Sequence, residues 1–500
     1  MHLNRASDSL GQLRQTVLMT EKVQLADNPS PGPEGLTRVA LVITALRRRI
    51  LDRTLASGAK VPSIRAMAET LNVSKSTVVD AYERLAAEGV IAARRGAGFY
   101  VTGRAAPLSV AEVGPRPPPE VDPLWLTRYA MEAGDHILNP SCGWLPQSWM
   151  PEEALRQGMR QSARDNAVDF TRYGQASGHA PLRQLLSTYL AERGIIAPAG
   201  QILLTDSGTQ AIDLVCRLLL EPGDSVLVDD PCYFNFFGIL RASRAKIIGV
   251  PLTPNGPDLE KFEAALIEHH PRLYLTNATV QNPTGANLAP HVAHRLLGLA
   301  EAHDLTIIED DIFADFAMEP APRLAALDGL NRVVYLGSFS KTLSAKLRLG
   351  FITARPELME PLVELRIATQ IGGGPASADI VHRVLTNGTY RRHTSALRAR
   401  LGTAMGTTLH RLQSAGLTPW IEPRAGMFVW ARLPDGLRAV EVARQALTEG
   451  MVLAPGDAFS LNRASDGFLR FNVAQCSHPA VFSILDKAMS AARQSSCEQS

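Results

Sequence analysis

The hydrophobic pattern of the first hundred residues predicts three short helices followed by a two-stranded hairpin. Apolar residues recur at helical spacing in three successive segments. Ser63 and Ser74 stand before the second and third of these, where a serine hydroxyl can cap the first turn of a helix. Two short apolar runs, 90–93 and 99–102, flank a glycine-containing turn. This order of elements predicts a winged helix-turn-helix DNA-binding domain over residues 36–102.

From residue 124 onward, short apolar runs alternate with segments of helical period. The strand candidates are 201–205, 225–228, 246–250, 272–276, 306–309 and 332–336. Helical segments such as 211–220, 259–268 and 292–302 lie between them. The alternation predicts an α/β fold, with a mainly parallel sheet covered by helices on both faces. Ligands on such sheets bind beyond the carboxyl ends of the strands, so motifs directly after strands are the candidate site residues.

Two segments show no sustained period. Residues 1–35 end in a Pro-Ser-Pro-Gly-Pro run, and we expect a mobile leader there. Residues 103–123 contain six prolines and few large apolar residues, which predicts an extended linker. We therefore expect a body over residues 124–500, with a large lobe at about 165–385 and a smaller α+β lobe at about 386–500.

Composition adds two constraints. Residues 36–104 carry 12 Lys and Arg against 5 Asp and Glu, whereas the whole chain has a net charge of only +2. A basic module on a mildly acidic body is typical of a protein that binds nucleic acid. The five cysteines are odd in number and form no Cys-x-x-Cys pair, and no leading apolar segment is present. We expect a cytoplasmic protein with no membrane span and no metal site.

The predicted third helix begins with small and cationic donors, Ser74, Lys75, Ser76 and Thr77. Such a helix start can hold DNA phosphates, and the lysine can also reach a guanine edge. Arg65 on the second helix and Arg95 in the wing are further candidate DNA contacts. The alternative is a helical bundle with a solvated basic face, which is equally compatible with any one of these residues.

A lysine at the end of the predicted strand 332–336 is the candidate centre of the chemistry. Lys341 lies in Gly337-Ser-Phe-Ser-Lys-Thr342, and Arg348 follows seven residues later. A lysine partly shielded from water loses its proton more readily and can attack an aldehyde. Ser338, Ser340 and Arg348 are suited to a phosphate. A nucleophilic lysine beside a phosphate site predicts pyridoxal 5'-phosphate bound as an imine.

Four further motifs follow predicted strands. Thr209 and Gln210 open a helix and can close over a phosphate, and Tyr233 can lie against a flat heterocycle. Asn282 can donate to a phenolate oxygen, and a buried Asp310 can keep a pyridine nitrogen protonated. Each motif alone is more often a turn, a helix cap or a core residue. Their joint occurrence ahead of the lysine favours the cofactor site.

Residues 37–102 resemble the GntR family of DNA-binding domains. The resemblance is carried by Val61-Pro-Ser-Ile-Arg65, Val73-Ser-Lys-Ser-Thr-Val78 and Tyr82-Glu-Arg-Leu-Ala-Ala-Glu-Gly89. One departure is Lys75, where an arginine is common. The change alters which base edge or phosphate this position reads.

Residues 125–493 resemble a fold-type I pyridoxal-phosphate enzyme of the aspartate aminotransferase kind. The resemblance implies that Lys341 is the Schiff-base lysine, Asp310 the partner of the pyridine nitrogen and Asn282 a partner of the phenolate. It implies that Tyr173 reaches the phosphate of the neighbouring subunit in a homodimer, and that Arg470 binds a substrate carboxylate. The remaining implied cofactor contacts are Tyr233, Thr209, Gln210, Ser338, Ser340 and Arg348.

The whole chain resembles MocR-type transcription regulators, which join these two domains. Two departures stand out. Ile312 and Phe313 follow Asp310-Asp311, where a tyrosine is common, and Ser344-Ala-Lys346 replaces the usual Pro-Gly. Losing the tyrosine hydroxyl is expected to alter the electronics of the imine.

Three functions are compatible with these features. The leading hypothesis is a transcription regulator that senses an amino compound through a pyridoxal phosphate imine on Lys341 and binds an operator with paired half-sites. The alternative is an active aminotransferase that transfers an amino group between an amino acid and a 2-oxo acid. The third is a DNA-binding protein whose body has lost the cofactor and only dimerises.

Overall fold

The computed structural model describes residues 37–51, 54–56, 58–94, 97–102, 128–129, 131–132, 137–165, 171–318, 321–371, 373–462 and 464–498. They belong to two compact units, Met1–Gly114 and Pro115–Ser500. The expected leader, the expected linker and Arg95 lie outside the described residues.

The first unit has the predicted three helices and hairpin. Its elements are α1 (Arg38–Leu51), α2 (Ile64–Leu71), α3 (Lys75–Ala87), β1 (Ile91–Arg94) and β2 (Gly98–Val101). The two strands pair antiparallel, with Ile91 opposite Val101. Tyr82 of α3 is buried at the centre of the apolar core. Its hydroxyl donates to the carbonyl of Pro62 at 2.8 Å, which satisfies the polar end of a buried ring.

Serine caps set the starts of α2 and α3. Ser63 Oγ accepts the Ala66 N–H at 3.2 Å, and Ser74 Oγ accepts the Thr77 N–H at 3.2 Å. Asn72 ends α2 with φ of +50°, a left-handed conformation that asparagine adopts more readily than most residues. These caps confirm the predicted helix starts, and the conformation of Asn72 makes the turn between the two helices tight.

The second unit is built on an eight-stranded sheet. Its strands are β3 (Ile202–Thr205), β4 (Ser225–Asp230), β5 (Lys246–Thr253), β6 (Gly256–Pro257), β7 (Leu273–Thr276), β8 (Thr306–Asp310), β9 (Val333–Ser338) and β10 (Gly350–Thr353). The spatial order is β3-β10-β9-β8-β7-β4-β5-β6. Strands β9, β8, β7, β4 and β5 run parallel, whereas β10 lies antiparallel between β3 and β9. The six predicted strands and the mainly parallel sheet are confirmed.

Helices cover both faces of this sheet. Successive strand residues point to opposite faces, so Leu204 packs in one apolar core and Leu203 in the other. The helices are α4 (Glu152–Arg164), α5 (Ala180–Ala191), α6 (Gly208–Leu219), α7 (Phe234–Ala242), α8 (Leu259–His269), α9 (Pro290–Ala302), α10 (Leu324–Asp328), α11 (Pro356–Gln370), α12 (Pro375–Thr386) and α13 (Thr389–Ser414).

A smaller α+β lobe follows α13, as predicted. Its strands are β11 (Thr418–Pro419), β12 (Phe428–Arg432), β13 (Ala454–Pro455) and β14 (Phe468–Asn472), in the order β11-β12-β14-β13. The neighbouring pairs are all antiparallel. Helices α14 (Ala439–Thr448) and α15 (Ala480–Glu498) pack against this sheet around a core of their own. Among the described helices, none is long and apolar enough to cross a membrane.

Candidate functional site

Lys341 lies just beyond the carboxyl end of β9, in a loop on the side of the sheet where the parallel strands end. Its Nζ donates a hydrogen bond to the Gly143 carbonyl at 2.7 Å. Burial, followed by the positive charge of Arg470, lowers the pKa of Lys341 to about 8. At pH 7 about one tenth of this amine is therefore uncharged and nucleophilic, far more than for a lysine of ordinary pKa.

Asp310 ends β8, the strand beside β9, and is almost fully buried. Its Oδ1 accepts the Ile312 N–H at 3.2 Å, and Asn277 Nδ2 donates to its backbone carbonyl at 2.7 Å. Burial raises the pKa of Asp310 to about 6, and the hydrogen bonds from these neighbours limit the rise. The carboxyl group is still mostly ionised at pH 7, so it can pair with a cationic ring nitrogen.

Arg470 lies in β14 of the small lobe and is 3% exposed. Its Nη1 donates to Asn282 Oδ1 at 2.8 Å, and its Nη2 donates to the Ser141 carbonyl at 2.6 Å. The guanidinium carbon lies 4.4 Å from the ring centroid of Phe428 and 4.7 Å from that of Phe459. Burial lowers its pKa to about 10, so the group remains a cation at neutral pH. Such a held guanidinium can bind a carboxylate.

The contact with Arg470 also fixes the orientation of the Asn282 amide. A guanidinium group can only donate, so the amide oxygen must face it. The Asn282 Nδ2 group then points to the other side and remains able to donate to a ligand oxygen.

Thr209 and Gln210 lie in the first turn of α6, but their side chains differ in direction. Ser207 caps this helix by accepting the Gln210 N–H at 3.0 Å, and Thr209 lines a cavity. Gln210 instead accepts the Asp206 N–H at 2.7 Å through Oε1, and its Nε2 contacts Gln370. A helix N-terminus favours an anion, so Thr209 and the backbone amides here could hold one, whereas the Gln210 side chain is already bonded to its neighbours.

The serines of the lysine loop also differ. Ser338 Oγ donates to the Leu349 carbonyl at 3.1 Å and lies 3.1 Å from Ser340 Oγ, so its hydroxyl serves the loop itself. Ser340 and Arg348 line the same cavity as Thr209. Arg348 makes no ion pair with any described residue and is exposed, which leaves its charge available for an anion.

These groups surround one cavity of about 540 Å³. The sequence-predicted residues on its wall are Lys341, Asp310, Asn282, Tyr233, Thr209, Ser340, Arg348 and Arg470. Gln210, Ser338 and Tyr173 do not line it, and Tyr173 is 83% exposed. Burial raises the pKa of Tyr233, so its hydroxyl stays neutral beside the cavity. Aromatic and aliphatic wall residues include Ile212, Phe234, Ile312, Phe313, Phe428 and Leu453.

Several wall residues escaped the sequence reasoning. Ser141 and Gly143 belong to an irregular segment that shows no period, and they accept from Arg470 and Lys341. Asn277 also lines the cavity, and its Oδ1 is buried with no partner among the described residues. Only Asn277 carried a sequence signal, because it directly follows a predicted strand.

Gly350 is a further missed residue, and its role is steric. A Cβ atom at this position would lie 2.7 Å from the Ser207 carbonyl carbon and 2.8 Å from the Gly208 nitrogen. Only glycine lets the start of β10 approach the N-terminus of α6 this closely. In the sequence, the one indication of a role for Gly350 was its position directly after Arg348 and Leu349.

The donor set fits a phosphorylated aromatic aldehyde. The cavity combines an amine of lowered pKa, a buried carboxylate and apolar walls with an anion cradle of hydroxyls, helix N-terminus and arginine. The first departure from the usual pattern, the pair that stands where a tyrosine is common, is on its wall as well. Ile312 and Phe313 both line the cavity, so neither supplies a hydroxyl there.

In the first unit, the described candidate DNA contacts lie at the start of α3 and on α2, and all of them except the partly buried Thr77 are exposed. Lys75 and Ser76 are exposed, whereas the Ser74 hydroxyl caps the helix and lies 2.7 Å from Thr77 Oγ1. Arg65 forms an exposed ion pair with Glu69 at 3.1 Å. Exposed pairs of this kind contribute little to stability, so a phosphate can compete for the arginine.

Comparison with known proteins gives consistent matches for both units. Residues 144–487 match the model of "Aminotransferase class I and II", and residues 39–101 match that of "Bacterial regulatory proteins, gntR family". The chain is 28% identical to the probable rhizopine catabolism regulatory protein MocR of Rhizobium meliloti, over 82% of this chain and 84% of that protein. It is 31% identical to 2-aminoadipate transaminase of Thermus thermophilus, over 68% of this chain and 85% of that protein.

A solved structure shares the fold of the second unit. It is LysN, the alpha-aminoadipate aminotransferase of Thermus thermophilus, complexed with N-(5'-phosphopyridoxyl)-L-leucine. The TM-score is 0.66 at 28% identity, covering 72% of this chain and 94% of that chain.

Proposed function

Because the chain belongs to the aminotransferase class I and II family and is a MocR-type regulator with a GntR-family DNA-binding domain, we propose that it senses an amino compound. In this proposal the compound is detected through pyridoxal phosphate, which is held as an imine on Lys341. One observation carries the proposal. Lys341, Asp310 and Arg470 line a single cavity, which combines a reactive amine, an acid for the ring nitrogen and a carboxylate-binding cation.

The cofactor of this family is pyridoxal phosphate. When bound, it supplies an aldehyde for amines and a protonated ring that draws electrons from them. We assign Lys341 as the amine that holds it, Asp310 as the partner of the ring nitrogen and Asn282 as the donor to its phenolate. The proposed stacking residue is Tyr233, and the proposed phosphate contacts are Thr209, Gln210, Ser338, Ser340 and Arg348. Of these, Gln210 and Ser338 would act by holding the cradle, because their side chains bond to neighbouring residues.

The ligand is proposed to be an amino compound with a carboxylate. Arg470 donates hydrogen bonds from both Nη1 and Nη2, and its guanidinium group contacts two phenylalanine rings. The guanidinium group therefore has a fixed orientation without a ligand. Preorganisation of this kind reduces the entropy lost on binding. An α-amino acid offers the amine for the cofactor and the carboxylate for Arg470.

We propose that the protein acts as a homodimer. Tyr173 is 83% exposed, as expected if it reaches the phosphate of the neighbouring subunit, the role that the family resemblance implies for it. Two DNA-binding domains in one dimer would recognise an operator with paired half-sites. For the ligand to affect transcription, it must bind one arrangement of the dimer more tightly than another.

The DNA contacts and the compartment are part of the same proposal. We assign phosphate or base contacts to Arg65, Ser74, Lys75, Ser76, Thr77 and Arg95. A DNA-binding regulator acts where the DNA is, so we propose a cytoplasmic location. The four cysteines whose side chains the structure describes, Cys142, Cys216, Cys232 and Cys476, are buried and unpaired, which suits a reducing compartment.

An absorbance titration with a panel of amines and amino acids tests the proposal. Wild-type protein loaded with pyridoxal phosphate should show an imine band that shifts with the effector, and Lys341→Ala should lack the starting band. Lys346→Ala is the matched control, because Lys346 is exposed in the same loop and does not line the cavity. Borohydride reduction and peptide mapping should place the cofactor on residue 341. A label elsewhere, or none, would reject the proposed site.

A second function, transamination, is favoured by the same three residues. They supply an amine, a ring-nitrogen partner and a carboxylate site, and a relative of 31% identity is named a transaminase. Incubation with amino acids and a 2-oxo acid separates the two functions. Multiple turnovers would identify an enzyme, whereas a shifted band without turnover would identify a sensor.

A further inference from the structure

Thr342, the residue directly after Lys341, is held at both of its oxygen atoms by α13. Its Oγ1 lies 2.7 Å from the hydroxyl of Tyr390, and its carbonyl oxygen lies 2.8 Å from Nε2 of His393. The two α13 residues are three positions apart and therefore share one face of the helix. Thr342 is 1% exposed, so water does not compete for these bonds.

The donors in this contact follow from the carboxylate of Asp315, whose side chain is 11% exposed. Tyr390 donates its proton to Asp315 Oδ2 at 2.5 Å, because a carboxylate can only accept. Thr342 must then donate to the Tyr390 oxygen. Tyr189 also donates to Asp315 Oδ2, at 2.7 Å, and Arg193 donates to Oδ1 at 2.5 Å. Burial raises the pKa of both tyrosines well above the usual value, so they keep their protons.

The donor and acceptor are also defined in the hydrogen bond between His393 and the Thr342 carbonyl. The Thr342 carbonyl accepts, so His393 carries its proton on Nε2. Burial lowers the pKa of His393, which favours the neutral ring. Thr342 therefore has two neutral hydrogen bonds to one helix face, and neither depends on a bound cofactor.

Helix α13 joins this contact to the small lobe. Near its N-terminus, Tyr390 packs in the large-lobe core with Phe339 and Leu343. Further along, four buried residues of the helix pack in the small-lobe core: Leu397, Leu401, Met405 and Leu412. That core includes Leu469 and Phe471, the neighbours of Arg470 in β14. One continuous helix of 26 residues thus contacts the lysine loop and the sheet that carries the carboxylate-binding arginine.

We propose that Tyr390 and His393 are positioning residues that hold the Lys341 amine in place through Thr342 and connect it, through α13, to the small lobe. The inference rests on the proposed function in one respect, that Lys341 is the reacting amine. A movement of Lys341 caused by an effector would then be transmitted through Thr342 and α13 to the small lobe, which carries Arg470. A two-ended rigid element of this kind is a physical route by which one site can bias another.

Two conservative variants distinguish an effect on the position of Lys341 from a general loss of stability. Tyr390→Phe and Tyr189→Phe each remove one hydroxyl from Asp315, but only the first removes a partner of Thr342. In cofactor-free protein, trace acetylation followed by peptide mapping would measure the reactivity of Lys341, with the exposed Lys346 as internal reference. We expect Tyr390→Phe to change Lys341 labelling by about fivefold, the effect of one lost neutral hydrogen bond, and Tyr189→Phe to leave it unchanged.

A double-variant cycle and an exchange measurement complete the test. Thr342→Val removes the same hydrogen bond from the other side, so Thr342→Val combined with Tyr390→Phe should change labelling no more than either single variant. Hydrogen exchange should show that pyridoxal phosphate protects β12 and β14 in wild type and Tyr189→Phe, and protects them less in Tyr390→Phe. Equal effects of the two tyrosine variants, or additive effects in the cycle, would overturn the inference. Failure to trap the cofactor on Lys341 would instead reject the proposed function, since the labelling uses cofactor-free protein.

Discussion

The side-chain oxygen of Asn282 accepts a hydrogen bond from Arg470 Nη1 at 2.8 Å, which joins a loop of the large lobe to a strand of the small lobe inside the cavity. Because Asn282 is also the proposed donor to the cofactor phenolate, one amide would contact both the cofactor and the arginine proposed to bind the ligand carboxylate. The geometry therefore connects the two halves of the proposed ligand recognition, and it can be tested from either side.

Replacing Arg470 with alanine should weaken the binding of ligands that carry a carboxylate. In Arg470→Ala, α-amino acids should bind to the loaded protein about 10- to 100-fold more weakly, since a charge-assisted hydrogen-bonded pair is lost. The corresponding amines without a carboxylate should bind nearly as in wild type. Absorbance titrations with matched amino acid and amine pairs measure both. An equal loss for both members of a pair would contradict the carboxylate role.

Capture of the cofactor should depend on pH through Lys341. The attacking species is the neutral amine, and the pKa of this lysine is lowered to about 8. The rate at which cofactor-free protein takes up pyridoxal phosphate should therefore rise with pH up to about 8 and level off above it, with a slope of about tenfold per unit at lower pH. Stopped-flow absorbance at constant ionic strength gives the profile. A plateau beginning only near the ordinary lysine value would contradict the effect of burial.

Gly350→Ala should disturb the anion cradle. The added methyl group would meet the backbone of Ser207 and Gly208 at less than 3 Å, and backbone cannot move aside as a flexible side chain can. We expect weaker retention of pyridoxal phosphate and a loss of unfolding free energy of about 1–3 kcal/mol. Gly298→Ala in α9 is the control, because nothing lies within 4 Å of its added Cβ. That substitution should raise stability by about 0.5–1 kcal/mol. Dialysis and thermal unfolding measure the two effects.

The first turn of α3 should contribute to DNA affinity chiefly through charge. Lys75→Ala should weaken binding to operator and unrelated duplexes alike if it contacts phosphate, and should reduce the salt slope by about 1. Arg84→Ala is the matched control, because it also removes one positive charge but lies in the last turn of α3, away from the helix start. Fluorescence anisotropy over a range of salt concentrations gives the slopes. A loss confined to one operator base pair would indicate a base contact instead.

The sequence by itself was sufficient for the fold class and for the order of the site motifs. Strand candidates such as 306–309 and 332–336 were visible because strands buried on both faces read as continuous apolar runs. The motifs at Asp310 and Lys341 could then be located, since chemistry on a parallel sheet lies at its carboxyl edge. The short strand β10 was missed because its four residues directly follow the arginine motif and give no period of their own.

The directions of individual side chains needed the tertiary structure. Gln210 and Ser338 stand in the right motifs, yet Gln210 contacts Gln370, 160 positions away, and Ser338 donates to Leu349 across a loop. The contacts of Ser141 with Arg470 and of Tyr390 with Thr342 join residues 329 and 48 positions apart, respectively. Local sequence determines period, caps and turns, because these depend on neighbours along the chain. Which polar atoms face the cavity is decided by packing between distant segments, because a buried hydrogen bond forms only where the fold brings both partners together.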